Sequence, residues 1–176
     1  MNKNYSKFLK AIPNKREFFE CLKICNENYR SGHDLVYYRR IIEFHRKSEN
    51  GLYGLLQKEE FYHLIMKTLE KWNMNQRGAR LTTIDKFKDS IEKNAENLIK
   101  LSKLKLSQLN QSLLNEIKPK LKEIFSNLNV METKSKIVGV SKTLHFLLPD
   151  LVMPIDRKFT LNFFQINLPS DPDREK

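Results

Sequence analysis

Apolar residues return at helical intervals along most of this chain, and that periodicity limits its fold more than any other feature. Phe18, Leu22 and Cys25 share one face of a stretch from Lys15 to Arg30, with Asn14 placed to cap it. Leu35, Tyr38, Ile42 and His45 form a stripe from Asp34 to Lys47, and Phe61, Ile65, Leu69 and Trp72 form another from Lys58 to Trp72. Thr83-Ile-Asp-Lys opens a further helix through Phe87, Ile91 and Ala95. Leu109, Leu113, Ile117, Leu121, Ile124 and Leu128 mark one more, in which Pro119 should kink the element or begin a new helix. Leu98 to Leu106 is ambiguous: Leu104-Lys105-Leu106 alternates like a strand, while length and neighbours favour helix. Ser31-Gly32, the loop of Asn50-Gly51 with Gly54, and the polar run Asn73 to Arg80 interrupt the pattern, Gly78 being suited to positive φ.

Only 5 Gly and 6 Pro occur among 176 residues, which argues against all-β folds built on many tight turns. The expected fold is all-α: a single multi-helix domain over residues 1–168, with a helix-hairpin-helix-like element near the C-terminus and a flexible tail over 169–176.

At 40% hydrophobic and 30% charged, the composition is too apolar for a disordered chain. The net charge of +11 favours a polyanionic partner, since lysines beside phosphates release condensed counterions on binding. An AT-rich genome, favouring Lys and Asn codons, would produce the same excess without any partner. Cys21 and Cys25, the only cysteines, share a helical face with no nearby His to complete a metal site, and are read as buried thiols in a reducing cytosol. The N-terminus lacks an apolar signal core, and no run approaches the roughly 20 residues of a membrane span. A cytoplasmic protein without a membrane partner is expected.

The stretch Lys136 to Thr160 is the least generic. Ile137-Val138-Gly139-Val140-Ser141 reads as a glycine-centred turn, with Ser141 capping a helix from Lys142 to Leu148. Amides at such a helix start can hold a phosphate, and Lys142 in the first turn would add a charge. The same residues also suit a tight helical corner with an ordinary solvated lysine. Asp156 is placed either to cap a helix from Arg157 to Phe164 or to supply a carboxylate for chemistry. Arg157 and Lys158 can pair with it or with phosphates. Arg77 and Arg80, beside Trp72, offer a further phosphate or base-stacking surface, although Trp72 also continues an apolar stripe. His145 suits a proton carrier or a buried, hydrogen-bonded core residue. His33, His45 and His63 lack metal-ligand spacing. No phosphate-cradling glycine loop, zinc motif or Ser/His/Asp arrangement is present, so neither cofactor nor metal is expected.

Gly139, Val140 and Ser141, followed by Pro154-Ile155-Asp156, resemble the helix-hairpin-helix motif of the DNA glycosylase superfamily that includes endonuclease III. Ser141 stands where that motif has its second glycine, and Thr143 where it has its lysine. Lys142 and Asp156 lie 14 residues apart, closer than is usual in that family. A second likeness runs from Phe61 to Phe164. Its pattern is Leu69-x-x-Trp72-x-Met74, then Val138-Gly-x-Ser141-Lys-x-Leu144-His, then Pro154-Ile-Asp-Arg157, and it resembles a group of uncharacterised prokaryotic proteins. It implies a shared fold and no particular activity.

The glycosylase resemblance implies DNA binding through Gly139, Ser141 and Lys142, aided by Arg157, Lys158, Arg77 and Arg80. It further implies base excision, with Asp156 stabilising an oxocarbenium ion or activating water and Lys142 as an amine nucleophile. The alternative is a non-enzymatic α-helical scaffold or protein-interaction domain in which the stretch is a structural corner.

Overall fold

A computed structural model describes residues 34–155 apart from 77, 134 and 135, together with Arg16, Phe19, Glu20 and Lys23. The chain divides into two compact units, one of Met1–Gly32 with Asp156–Lys176 and one of His33–Ile155. In the first, the four described residues are helical, within the stretch where sequence periodicity places a helix. Cys21, Cys25 and the expected boundary at residue 168 lie outside the described residues.

The second unit is all-α. Its elements are α1 (Asp34–Lys47), α2 (Gly51–Leu55), α3 (Glu59–Lys71), α4 (Ile84–Glu92), α5 (Ala95–Leu101), α6 (Gln111–Asn127) and α7 (Ile137–Leu147), with a 3-10 turn at Leu106–Gln108. Among the described residues the sole β pairing is an isolated bridge between Leu81 and Met131.

Helix α3 is central, packing against α1, α4 and α7, while α7 also touches α1 and α6. Its apolar stripe explains this role: Phe61, Ile65 and Leu69 are fully buried one turn apart. Ile41 from α1, Phe87 and Ile91 from α4, and Val140 and Phe146 from α7 complete the same core with no exposed surface. Acidic Glu59 and Glu60 in the first turn of α3 and Lys71 in its last complement the helix dipole. Asn110 caps α6, its side-chain oxygen accepting from the Leu113 amide at 2.9 Å.

Several local expectations are corrected. Asn50 to Gly54 is not simply a loop: α2 forms there, seated by buried Leu52 and Leu55. The helix after Thr83 breaks at Lys93 and Asn94, so α4 and α5 are separate. The ambiguous Leu98 to Leu106 is helical only to Leu101. Pro119 does not begin a new helix but lies inside α6, which leaves the first of its two expected roles, within one continuous element. Gly78 does adopt positive φ, at 79°.

The largest correction concerns Gly139. The expected turn is absent: α7 begins at Ile137, with Lys136 in the capping position, so Gly139, Val140 and Ser141 lie within the helix. Burial explains it. Eight of the eleven residues of α7 are buried, and an element surrounded by protein on nearly all sides must satisfy its backbone internally. That requirement overrides the weak helix propensity of Val, Ser and Gly.

Candidate functional site

Two places gather the side chains able to do chemistry. The first surrounds α7. Gly139 is there for packing: a Cβ on it would lie 2.7 Å from the sulfur of Met131 and 2.9 Å from its Cγ. Ser141 is almost wholly buried and ties the chain beyond the helix back onto it. Its hydroxyl accepts from the Ile155 amide at 3.1 Å and donates to the Val138 carbonyl at 3.0 Å. Ile155 is the last described residue of this stretch, and Asp156, Arg157 and Lys158 lie outside the described residues, as does Arg77.

Lys142 extends over the indole of Trp72, its ammonium 5.3 Å from the ring centroid and 3.7 Å from the Met74 sulfur. Two features separated in sequence, the α7 lysine and the aromatic linker, thus meet. Trp72 packs edge-on against Phe146 with centroids 5.0 Å apart and is tilted against Tyr38 at 5.7 Å, as expected for a residue continuing the core stripe. Arg80 lies apart, exposed, with its guanidinium 3.8 Å from the Glu132 carboxylate. Both border an open groove of about 780 Å³.

His145 lies behind this cluster, buried as the core reading expects. Its Nδ1 is 2.7 Å from the Val152 carbonyl and its Nε2 2.8 Å from the Tyr38 hydroxyl. A carbonyl only accepts, so Nδ1 carries the proton and the bare Nε2 accepts from Tyr38. Nearby, His45 Nε2 donates to the Phe146 carbonyl at 2.8 Å. Burial holds both imidazoles below their usual pKa, against the opposing pull of the carbonyls they serve. Burial likewise raises the Tyr38 phenol. Two neutral histidines therefore clasp the end of α7 to α1, a structural use that explains them without a reaction.

The second place is a cleft of about 650 Å³ where the last turns of α1, α5 and α7 meet α2. Apolar Leu52, Ile99 and Leu147 form its inner wall. Arg46, Lys103 and Asp150 supply charge, and Tyr53 borders the cleft with 55% of its surface exposed. A smaller recess continues past Pro149 and Asp150 to Lys105 and Leu106, whose amide donates to the Asp150 carbonyl at 2.8 Å. The carbonyl ends of α1, α5 and α7 bring partial negative charge here, which Arg46 in the last turn of α1 offsets. None of Gly139, Ser141 and Lys142 borders this cleft.

The cleft was not legible from sequence, because Arg46, Tyr53, Lys103 and Asp150 come from four separate segments with no shared spacing. The nearest signal was the basic end of the Asp34 to Lys47 stretch. Among the described residues no three His, Cys, Asp or Glu side chains gather as metal ligands would, and no helix is long and apolar enough to cross a membrane.

The class that fold and cleft define is an all-α unit with a basic-rimmed concavity. No family model matches the chain, and no curated protein or solved structure matches it either.

Proposed function

We propose that this protein binds nucleic acid, DNA foremost, through side-chain cations around the cleft rather than through the amides of a glycine turn. One observation carries the reading: Arg46 and Lys103 line the cleft, Lys105 lines the neighbouring recess that shares Pro149 and Asp150 with it, and none of the three has an ion-pair partner among the described residues. Six other described lysines have carboxylate partners, as in Lys47–Glu43, Lys93–Asp89, Lys100–Glu96 and Lys120–Glu116. On a chain of net charge +11, cations left for an external anion beside a concavity favour phosphate contact. Base excision through Asp156 forms no part of the proposal, since that residue lies outside the described residues.

The test is equilibrium binding to labelled DNA at several salt concentrations. Affinity should fall steeply with salt, and Arg46→Ala, Lys103→Ala and Lys105→Ala should each weaken binding and reduce the slope of log K against log salt by about 0.7 to 0.9. Absence of binding at low salt would sink the proposal and favour a helical scaffold or protein-interaction domain.

A further inference from the structure

We infer that the cleft is a subsite for one unpaired nucleotide, whose base stacks on Tyr53 and whose phosphate lies toward Arg46 and Lys103. This deepens the nucleic-acid reading and rests on it.

Size comes first. About 650 Å³ falls within the usual span of small-molecule sites, roughly 300 to 1,000 Å³, and suits a single nucleotide rather than a base-paired duplex. The wall chemistry includes each kind of group a nucleotide requires. Ile99 and Leu147 provide apolar wall, Tyr53 an aromatic ring, and the two cations and Asp150 the polar contacts. Tyr53 is the informative residue. More than half of its surface is exposed, yet it stands at a concavity where a flat apolar partner could cover it. A nucleobase is such a partner, and stacking on an aromatic ring tolerates any base identity.

Asp150 adds selectivity. An ionised carboxylate only accepts hydrogen bonds, so it favours a base with an exocyclic amine, as cytosine and adenine have, over thymine. Its negative charge also opposes a phosphate beside it, which leaves Arg46 and Lys103 to hold the phosphate. Unpaired nucleotide chemistry can come from a single strand or from a free mononucleotide, and the experiment separates these sources.

Fluorescence anisotropy at one fixed salt concentration would compare short oligo-dC, oligo-dT and a duplex of equal length, and titration calorimetry would measure the binding of cytidine monophosphate directly. The variants are Tyr53→Ala, Tyr53→Phe and Asp150→Asn in the full chain. Tyr53 is exposed, so its replacement should leave the melting temperature unchanged. Tyr53→Ala should weaken oligo-dC binding about tenfold while leaving duplex binding unaltered, and Tyr53→Phe should restore most of it. Asp150→Asn should narrow the preference for oligo-dC over oligo-dT.

Unchanged single-strand affinity in Tyr53→Ala would overturn the subsite, while salt-sensitive binding lost in Arg46→Ala would still support the broader reading. Failure to bind any strand or duplex, with Tyr53-dependent binding of cytidine monophosphate, would keep the subsite and sink the broader reading. Failure to bind all of these ligands would sink both.

Discussion

Gly139 has Met131 where its side chain would be, and Met131 itself is buried between the Leu81 bridge and α7. A small increment there is absorbed by a flexible thioether; a branched one is not. Gly139→Val should therefore destabilise the protein by about 1 to 3 kcal/mol, read from a denaturant midpoint. Shortening Met131 in the same chain should recover part of the loss. The buried histidines make a second residue-scale prediction. A group whose folded pKa is depressed contributes stability that is whole above its unfolded value and is lost as pH falls below it. For His45 and His145 that value is near 6.5, and the unfolded imidazoles take up protons that the buried ones refuse. The urea midpoint should thus decline as pH falls from neutral to about 5. In His145→Asn, whose amide does not titrate, the decline should be shallower.

At the scale of elements, what the sequence revealed depended on one-sided burial. Helices α1 and α3 each bury one stripe, and their observed limits, Asp34–Lys47 and Glu59–Lys71, agree with periodicity to within a residue. Where burial is not one-sided, local chemistry misled. Val138-Gly139-Val140-Ser141 has the composition of a turn, but it is enclosed by α1, α3 and α6 and so is forced helical. Helix α2 carries two glycines and forms because Leu52 and Leu55 have a place in the core. The cleft leaves no sequence signal for a different reason: its charged and aromatic groups become neighbours only after α1, α5 and α7 bring their C-terminal ends together. Pro119 offers a test at this scale. It removes a hydrogen bond inside α6 on an exposed face, so Pro119→Ala should raise stability by about 1 to 3 kcal/mol, visible as a higher melting temperature.

At the scale of the whole molecule, ion pairs among the described residues lie at the surface, as in Lys67–Glu70 and Lys93–Asp89, and each contributes no more than about 1 kcal/mol. Screening these costs little, and it also relieves repulsion among the excess of positive charges. The melting temperature should therefore hold or rise as salt is added, opposite in sign to the expected loss of nucleic-acid binding, and a pronounced fall would contradict this account. The histidine clasp carries a consequence for how the protein is made. Tyr38 waits for a partner 107 residues downstream, and His45 for one 101 residues downstream. A ribosome therefore delivers α1 and α3 long before the helix that covers them, and their inner faces stay open to other chains until α7 emerges. Synthesis that pauses in α6 would leave the nascent chain most dependent on chaperones at that point.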